Sequence, residues 1–174
     1  MNLNTALLLI DVQAKMFAPF TPVHQADDFL DNILKLLRLA RASGTQVIFV
    51  QNNGQAGEAD ETRTEGWLLH PEIEIISGDL IVQKSLPDPF TGTELHQALK
   101  GRGIHKLIVA GTPSETSVEA TCLKACELGY GVTLVSDAHS TYATKENTAE
   151  DIIARVNRNL KDFVSLWQVS DVQI

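Results

Sequence analysis

An acid, an amine and a hydroxyl, side chains that together can carry proton transfer and nucleophilic attack, each stand at or just beyond the end of a short apolar run. Asp11 closes ALLLID (6–11), Lys84 closes DLIVQK (79–84), and KLIVAG (106–111) leads into GTPSETSVEATC (111–122), which carries Ser117. An acid can take and return a proton, an ammonium can hold a neighbouring carboxylate ionised, and a hydroxyl can attack a carbonyl once a base removes its proton. Singly, each has an ordinary structural role: a strand-end Asp caps a turn, a Lys there is solvated, and a Ser beside a helix start caps it. Their shared position at the ends of apolar runs is what joins them. Gln13, just beyond Asp11, extends the set as a candidate substrate contact.

The elements that position these residues follow from the hydrophobic pattern. Runs at 6–11, 46–51, 79–84, 106–111, 131–137 and 163–167 are mostly too apolar to alternate, as expected of strands covered on both faces. Between them, Phe29, Leu30, Ile33, Leu34, Leu37 and Ala40 form one stripe of a helix over 27–43 that stops at Gly44. A shorter helix is expected over 92–101. Thr116 and Glu119 fit a capping box opening a helix that runs to Gly129, and Thr148 with Asp151 fits the start of another carrying Ile152, Val156 and Leu160. Alternating strands and helices predict a single α/β domain over 1–174: an open, six-stranded parallel sheet with helices on both faces. Sites in such folds lie beyond the carboxyl ends of the strands. The polar, acidic stretch QNNGQAGEADETRTEG (51–66) reads as a loop at that edge, either a lid or merely solvated.

Composition narrows the partners. The 174 residues, 44% hydrophobic, suffice for one core and are too few for two ordinary domains. The net charge of −8, from 22 acids against 14 Lys plus Arg with no basic run, argues against nucleic acid and anionic membranes, and leaves neutral or cationic small molecules as guests. Cys122 and Cys126 share one predicted helix and suit packing in a reducing compartment better than a disulfide framework. No stretch approaches a membrane span and the N-terminus has no basic leader, so a cytoplasmic location is expected.

The blocks LLLIDVQ (7–13), GWLLHPEI (66–73), VQKSLPDPFTGTEL (82–95) and VAGTPSETSVEATCLKACELGYGVTLVSDAHST (109–141) resemble, in order, those of the isochorismatase-like cysteine hydrolases. The resemblance implies a Rossmann-like three-layer fold, a homo-oligomer of two or more subunits, and an Asp-Lys-Cys triad that hydrolyses amides and related C–N bonds. Carried over by position, Asp11 is the general base and later acid, Lys84 holds Asp11 ionised and lowers the nucleophile's pKa, and Ser117 occupies the nucleophile position.

Three departures from the family pattern bear on activity. The motif Gly-x-x-Thr-x-x-Cys-Val-x-x-Thr reads here as Gly111, Ser114, Ser117, Val118 and Thr121, so its first threonine and its cysteine are both serine. A thiol with a pKa near ~8.5 is readily made a thiolate, whereas a hydroxyl must lose its proton during attack, which calls for an Asp11 of raised pKa. Cys122 is no substitute: five helical residues turn the chain by about 500°, which aims it roughly 140° away and about 7.5 Å further along. Pro113 is the second departure. The resemblance implies a cis peptide at Thr112–Pro113, whose following N–H would serve an oxyanion hole with that of Ser117, yet proline has no N–H. Pro113 and Ser114 together favour natural divergence over one deliberate cysteine-to-serine change. Third, the zinc ligands of the nicotinamidase branch have no counterpart: Asn52 and Asn53 stand in that region, and His24, His70, His96, His105 and His139 are scattered, so neither metal nor cofactor is expected. Aromatic walls suit a planar substrate, which makes Phe17, Trp67, Phe90 and Tyr142 candidates beside Pro113, with core packing the competing role for at least two.

The leading expectation is a hydrolase of a small amide, imide or ureido compound acting through Asp11, Lys84 and Ser117, weakened or silenced by Ser117 and Pro113. The alternatives are vinyl-ether hydrolysis of an isochorismate-type substrate with Asp11 as acid, and a non-catalytic metabolite-binding or assembly subunit.

Overall fold

In the computed structural model, which describes residues 4–174, the six apolar runs form one parallel sheet. The strands are β1 (Thr5–Ile10), β2 (Gln46–Asn52), β3 (Leu80–Lys84), β4 (Lys106–Gly111), β5 (Gly131–His139) and β6 (Ser165–Trp167), in spatial order β3-β2-β1-β4-β5-β6. The helices are α1 (Ala26–Ser43), α2 (Leu95–Gly101), α3 (Glu119–Glu127) and α4 (Ala149–Leu160).

Why the strands are so apolar is plain from β1, which is buried along its whole length. Ala6, Leu8 and Ile10 face a core built with Leu95 and Leu99 of α2, Cys122 and Ala125 of α3, and Val156 and Leu160 of α4. Leu7 and Leu9 face the other way, onto Phe29, Ile33, Leu36, Leu37 and Ala40 of α1 and onto Val169 and Val172 near the C-terminus. A strand buried on both faces has no polar side to alternate with. Among the described residues, no helix is long and apolar enough to cross a membrane.

Three local expectations need correction. The helix expected from 92 starts at Leu95, because the Asp88 carboxylate accepts from the Phe90 and Thr91 amides (2.9 and 2.8 Å) and the Thr93 hydroxyl reaches the Pro89 carbonyl, which holds that stretch in a turn. The last strand begins at Ser165 rather than 163. Thr116 and Glu119 form no capping box. Instead Ser114–Val118 is a π-turn in which the Val118 amide bonds to the Pro113 carbonyl at 3.1 Å, and α3 continues from it. The Thr148 cap of α4 is present, accepting from the Asp151 amide at 3.1 Å.

The order of strands reverses direction between β1 and β4, and there the chain is shaped most sharply. The Asp11 amide turns to Val50 of β2 (2.9 Å), while the Thr112 amide bonds to Ile10 (2.9 Å) and the Thr112 hydroxyl to the Asp11 carbonyl (2.9 Å). Asp11 has φ +48°, a left-handed conformation that Asp tolerates better than most residues. Gly111, at φ +138°, lets the two strand ends meet: a Cβ there would lie 2.1 Å from the Ile10 carbonyl oxygen. Gly111→Ala is therefore expected to cost about 3 kcal/mol or more. Gly44→Ala, at φ +72° with open space around it, is expected to cost about 1–2 kcal/mol. Urea unfolding of both variants checks this, and equal losses would sink the close-approach argument.

Candidate active site

The switch point between β1 and β4 collects the three residues at strand or helix starts and ends that the sequence singles out. Lys84, the last residue of β3, places its Nζ 2.9 Å from Asp11 Oδ2, 3.2 Å from Ser117 Oγ and 3.1 Å from Asn52 Oδ1. The ammonium has three protons and finds three acceptors. Asp11, Lys84 and Ser117 are 1%, 3% and 6% exposed, so these charges interact in a poorly solvated setting.

Burial raises the pKa of Asp11, and this outweighs the opposing pull of Lys84, of the Ser117 hydroxyl and of Lys15. Asp11 Oδ1 has no hydrogen-bond partner, although the other carboxylate oxygen is paired. A buried carboxylate with one free oxygen and a raised pKa is suited to moving a proton to or from a guest. The three residues open on a cavity of about 270 Å³, which is also lined by Lys15, Met16, Leu86, Pro87, Pro113 and Thr116.

The π-turn explains how Ser117 is presented. In an α-turn the Pro113 carbonyl would accept from the amide of Ser117; here it accepts from Val118, and the Ser117 amide stays among the first-turn N–H groups that a helix leaves without a main-chain partner. Thr112–Pro113 is cis. The next amide, of Ser114, donates to the Ser140 carbonyl at 3.0 Å, and the Ser114 hydroxyl pairs with His139 Nδ1 at 2.8 Å, so neither replaces the donor that proline lacks. Thr116 reaches the cavity wall. Cys122 is buried in the core and its thiol is pushed far up by burial, with Cys126 and Glu119 adding to the effect.

Of the candidate substrate contacts, Pro113 alone lines the cavity. Gln13 is fully buried and serves as a clasp: its amide nitrogen donates to the carbonyls of Asn52 (3.0 Å) and Trp67 (2.9 Å), and its oxygen accepts from the Asn52 amide (2.9 Å). Trp67 turns its Nε1 to Asn53 Oδ1 at 2.8 Å. Phe17 packs on Phe29 and against the edge of His70, beside a separate groove. Phe90 stacks on Tyr130 within the core. Tyr142 packs behind the cavity, its hydroxyl 3.3 Å from Met16 Sδ. Among the described residues, no group of three or more His, Cys, Asp or Glu is gathered as a metal site.

The 51–66 loop is largely solvated, as its composition suggests, but is anchored through Asp60. Asp60 is 1% exposed, forms an ion pair with Lys15, and accepts from Asn52 Nδ2 at 2.8 Å. Nothing in the acidic local sequence distinguishes Asp60 from its exposed neighbours, and Asn52 was visible only as a missing metal ligand.

Residues 5–161 match the Isochorismatase domain family. The chain belongs to that family. An isochorismatase of Pseudomonas putida KT2440 superposes with a TM-score of 0.91 at 29% identity, covering 98% of this chain and 91% of that one. Two streptothricin hydrolases of Streptomyces noursei are 36% identical over 166 residues and 39% identical over 137 residues, covering 95% and 79% of this chain. This chain spans 59% and 54% of their lengths. Its six-stranded α/β fold is shared with its solved relatives.

Burial would raise the pKa of Asp60, but the hydrogen bonds from Lys15 and Asn52 and the charge of Lys15 hold it below the usual carboxylate range. A depressed folded-state value contributes stability that is present above the unfolded value and is lost as pH falls through the folded one. The stability difference between the native chain and Asp60→Asn, measured by urea titration, is expected to hold from neutral pH down to about pH 5 and to shrink below it. A gap that widens instead reverses the sign of this contribution.

Proposed function

We propose that this chain hydrolyses an amide, imide or ureido C–N bond of a small neutral or cationic molecule by acyl transfer through Ser117. The observation that carries the reading is the Lys84 ammonium, 2.9 Å from the Asp11 carboxylate and 3.2 Å from the Ser117 hydroxyl beside an open cavity. Asp11 takes the Ser117 proton as Oγ bonds to the substrate carbonyl carbon. It then gives that proton to the departing nitrogen as the C–N bond breaks, and water releases the acyl group from Oγ by the reverse sequence. Lys84 keeps Asp11 charged in its base form and stabilises the negative charge that develops near Ser117.

The raised pKa of Asp11 supports its use as a base toward a hydroxyl. With Pro113 lacking an N–H and the Ser114 amide engaged, the Ser117 amide is the main-chain donor left for the oxyanion. A missing donor of this kind lowers turnover by roughly 10² to 10³. The reading is therefore of a slow hydrolase, with serine in place of the family's cysteine. The name of the streptothricin hydrolases makes streptothricin a substrate to try. The homo-oligomer and cytoplasmic location belong to the same proposal.

The free Oδ1 of Asp11 favours one second reading, in which a protonated Asp11 delivers its proton to a vinyl ether. Against it, Lys15 and Lys84 are the cavity's two cations and each is already paired with a carboxylate, which leaves little to receive a dicarboxylate substrate. The two readings differ in sign. A base must be ionised, so acyl transfer predicts that kcat/KM falls as pH drops through the raised pKa of Asp11; an acid predicts a fall as pH rises through it.

On a panel of small amides, ureido acids, streptothricin and isochorismate, followed by ammonia, amine and pyruvate release, Ser117→Cys is expected to exceed the native chain in C–N hydrolysis. Lys84→Ala is expected to abolish it. Turnover that survives Lys84→Ala would overturn the triad assignment.

A further inference from the structure

Lys84 owes its position to more than Asp11. Its third acceptor is Asn52 Oδ1, and the Asn52 side chain is itself held from the other end, where Nδ2 donates to Asp60 Oδ2 at 2.8 Å. The reverse orientation of that amide would set its NH₂ against an ammonium and its oxygen against a carboxylate, so the two charges force one orientation. Asp60 is buried and is fixed in turn by Lys15 on the cavity wall. The path from the 51–66 loop to the reacting hydroxyl therefore runs Lys15, Asp60, Asn52, Lys84, Ser117, each joined to the next by a polar contact.

We infer that Asp60 is a positioning residue: its carboxylate orients the Asn52 amide, whose oxygen holds the Lys84 ammonium between Asp11 and Ser117. The inference rests on the reading of Lys84 and Ser117 as parts of one site. It makes the acidic loop a structural member of that site, acting through Asn52 without touching substrate. Two charged pairs, Lys15 with Asp60 and Lys84 with Asp11, flank the Asn52 amide.

The test needs no substrate. In a Ser117→Cys background, the pH dependence of iodoacetamide alkylation at position 117, resolved from Cys122 and Cys126 by peptide mass spectrometry, gives the pKa of the introduced thiol. A nearby ammonium depresses such a value below its ordinary ~8.5. Adding Asp60→Asn removes a negative charge, which by field alone favours thiolate and lowers the value further. Loss of positioning acts oppositely, because Lys84 drifts from the sulfur. The expected result is a rise of about half a unit to one unit, a three- to tenfold slower alkylation at pH values below the thiol pKa.

In an Asn52→Leu background, which already lacks the relay, Asp60→Asn is expected to give no further rise. A folded Asp60→Asn variant whose thiol pKa is unchanged or lowered overturns the inference. So does an equal rise with and without Asn52. If Asp60→Asn does not fold, Asn52→Leu alone decides: a rise of the same size supports the relay, and none overturns it. Lys84→Ala separates the two levels, since a thiol indifferent to that change removes the Lys84 assignment itself and the relay with it.

Discussion

The ion pair of Asp11 with Lys84 is the contact around which the rest is arranged. Two opposite charges that are almost wholly buried face a desolvation cost that only close geometry and further hydrogen bonds can offset. The chain meets that demand with parts from distant segments. β1 supplies the acid in a left-handed turn, β3 the ammonium, β2 the Asn52 oxygen, and the π-turn before α3 the hydroxyl. A parallel sheet with both faces covered is one of few ways to bring four such ends to one dry edge.

That arrangement explains which features could be read in the chain and which could not. β1, β2 and β4 are continuous apolar runs, and strands of that kind reveal themselves locally. Asp11, Lys84 and Ser117 were legible because chemistry at the carboxyl edge depends on where a strand stops, which is a one-dimensional fact. Phe17, Trp67, Phe90 and Tyr142 were not, because a side chain beside a loop turns inward or outward according to packing that sequence position does not encode. Gln13 shows the same limit: its neighbour Asp11 faces the cavity, while its own amide is consumed by the backbone of Asn52 and Trp67.

Asp60, in the loop from 51 to 66, is the clearest case of tertiary context overriding local composition. The loop's acidity reads as solvation, yet Asp60 is buried against Lys15 and Asn52, and the Gln13 and Gln51 side chains both donate to the Trp67 carbonyl just beyond the loop. Buried polar contacts at its middle and just beyond its end tie the segment to the residues behind the cavity. The π-turn at Ser114–Val118 was equally hidden, since one extra residue per turn leaves a hydrophobic pattern almost unchanged while it frees a different amide.

Serine at position 117 also changes what the protein can withstand. A thiolate in an electropositive, accessible setting climbs readily from sulfenic to sulfonic acid under peroxide, and the upper steps are irreversible. A hydroxyl has no such ladder. The two thiols that remain, Cys122 and Cys126, both have pKa values raised by burial and are poor targets for oxidants. Whatever rate is lost by giving up sulfur at position 117, the candidate site carries no thiol that oxidative stress can switch off.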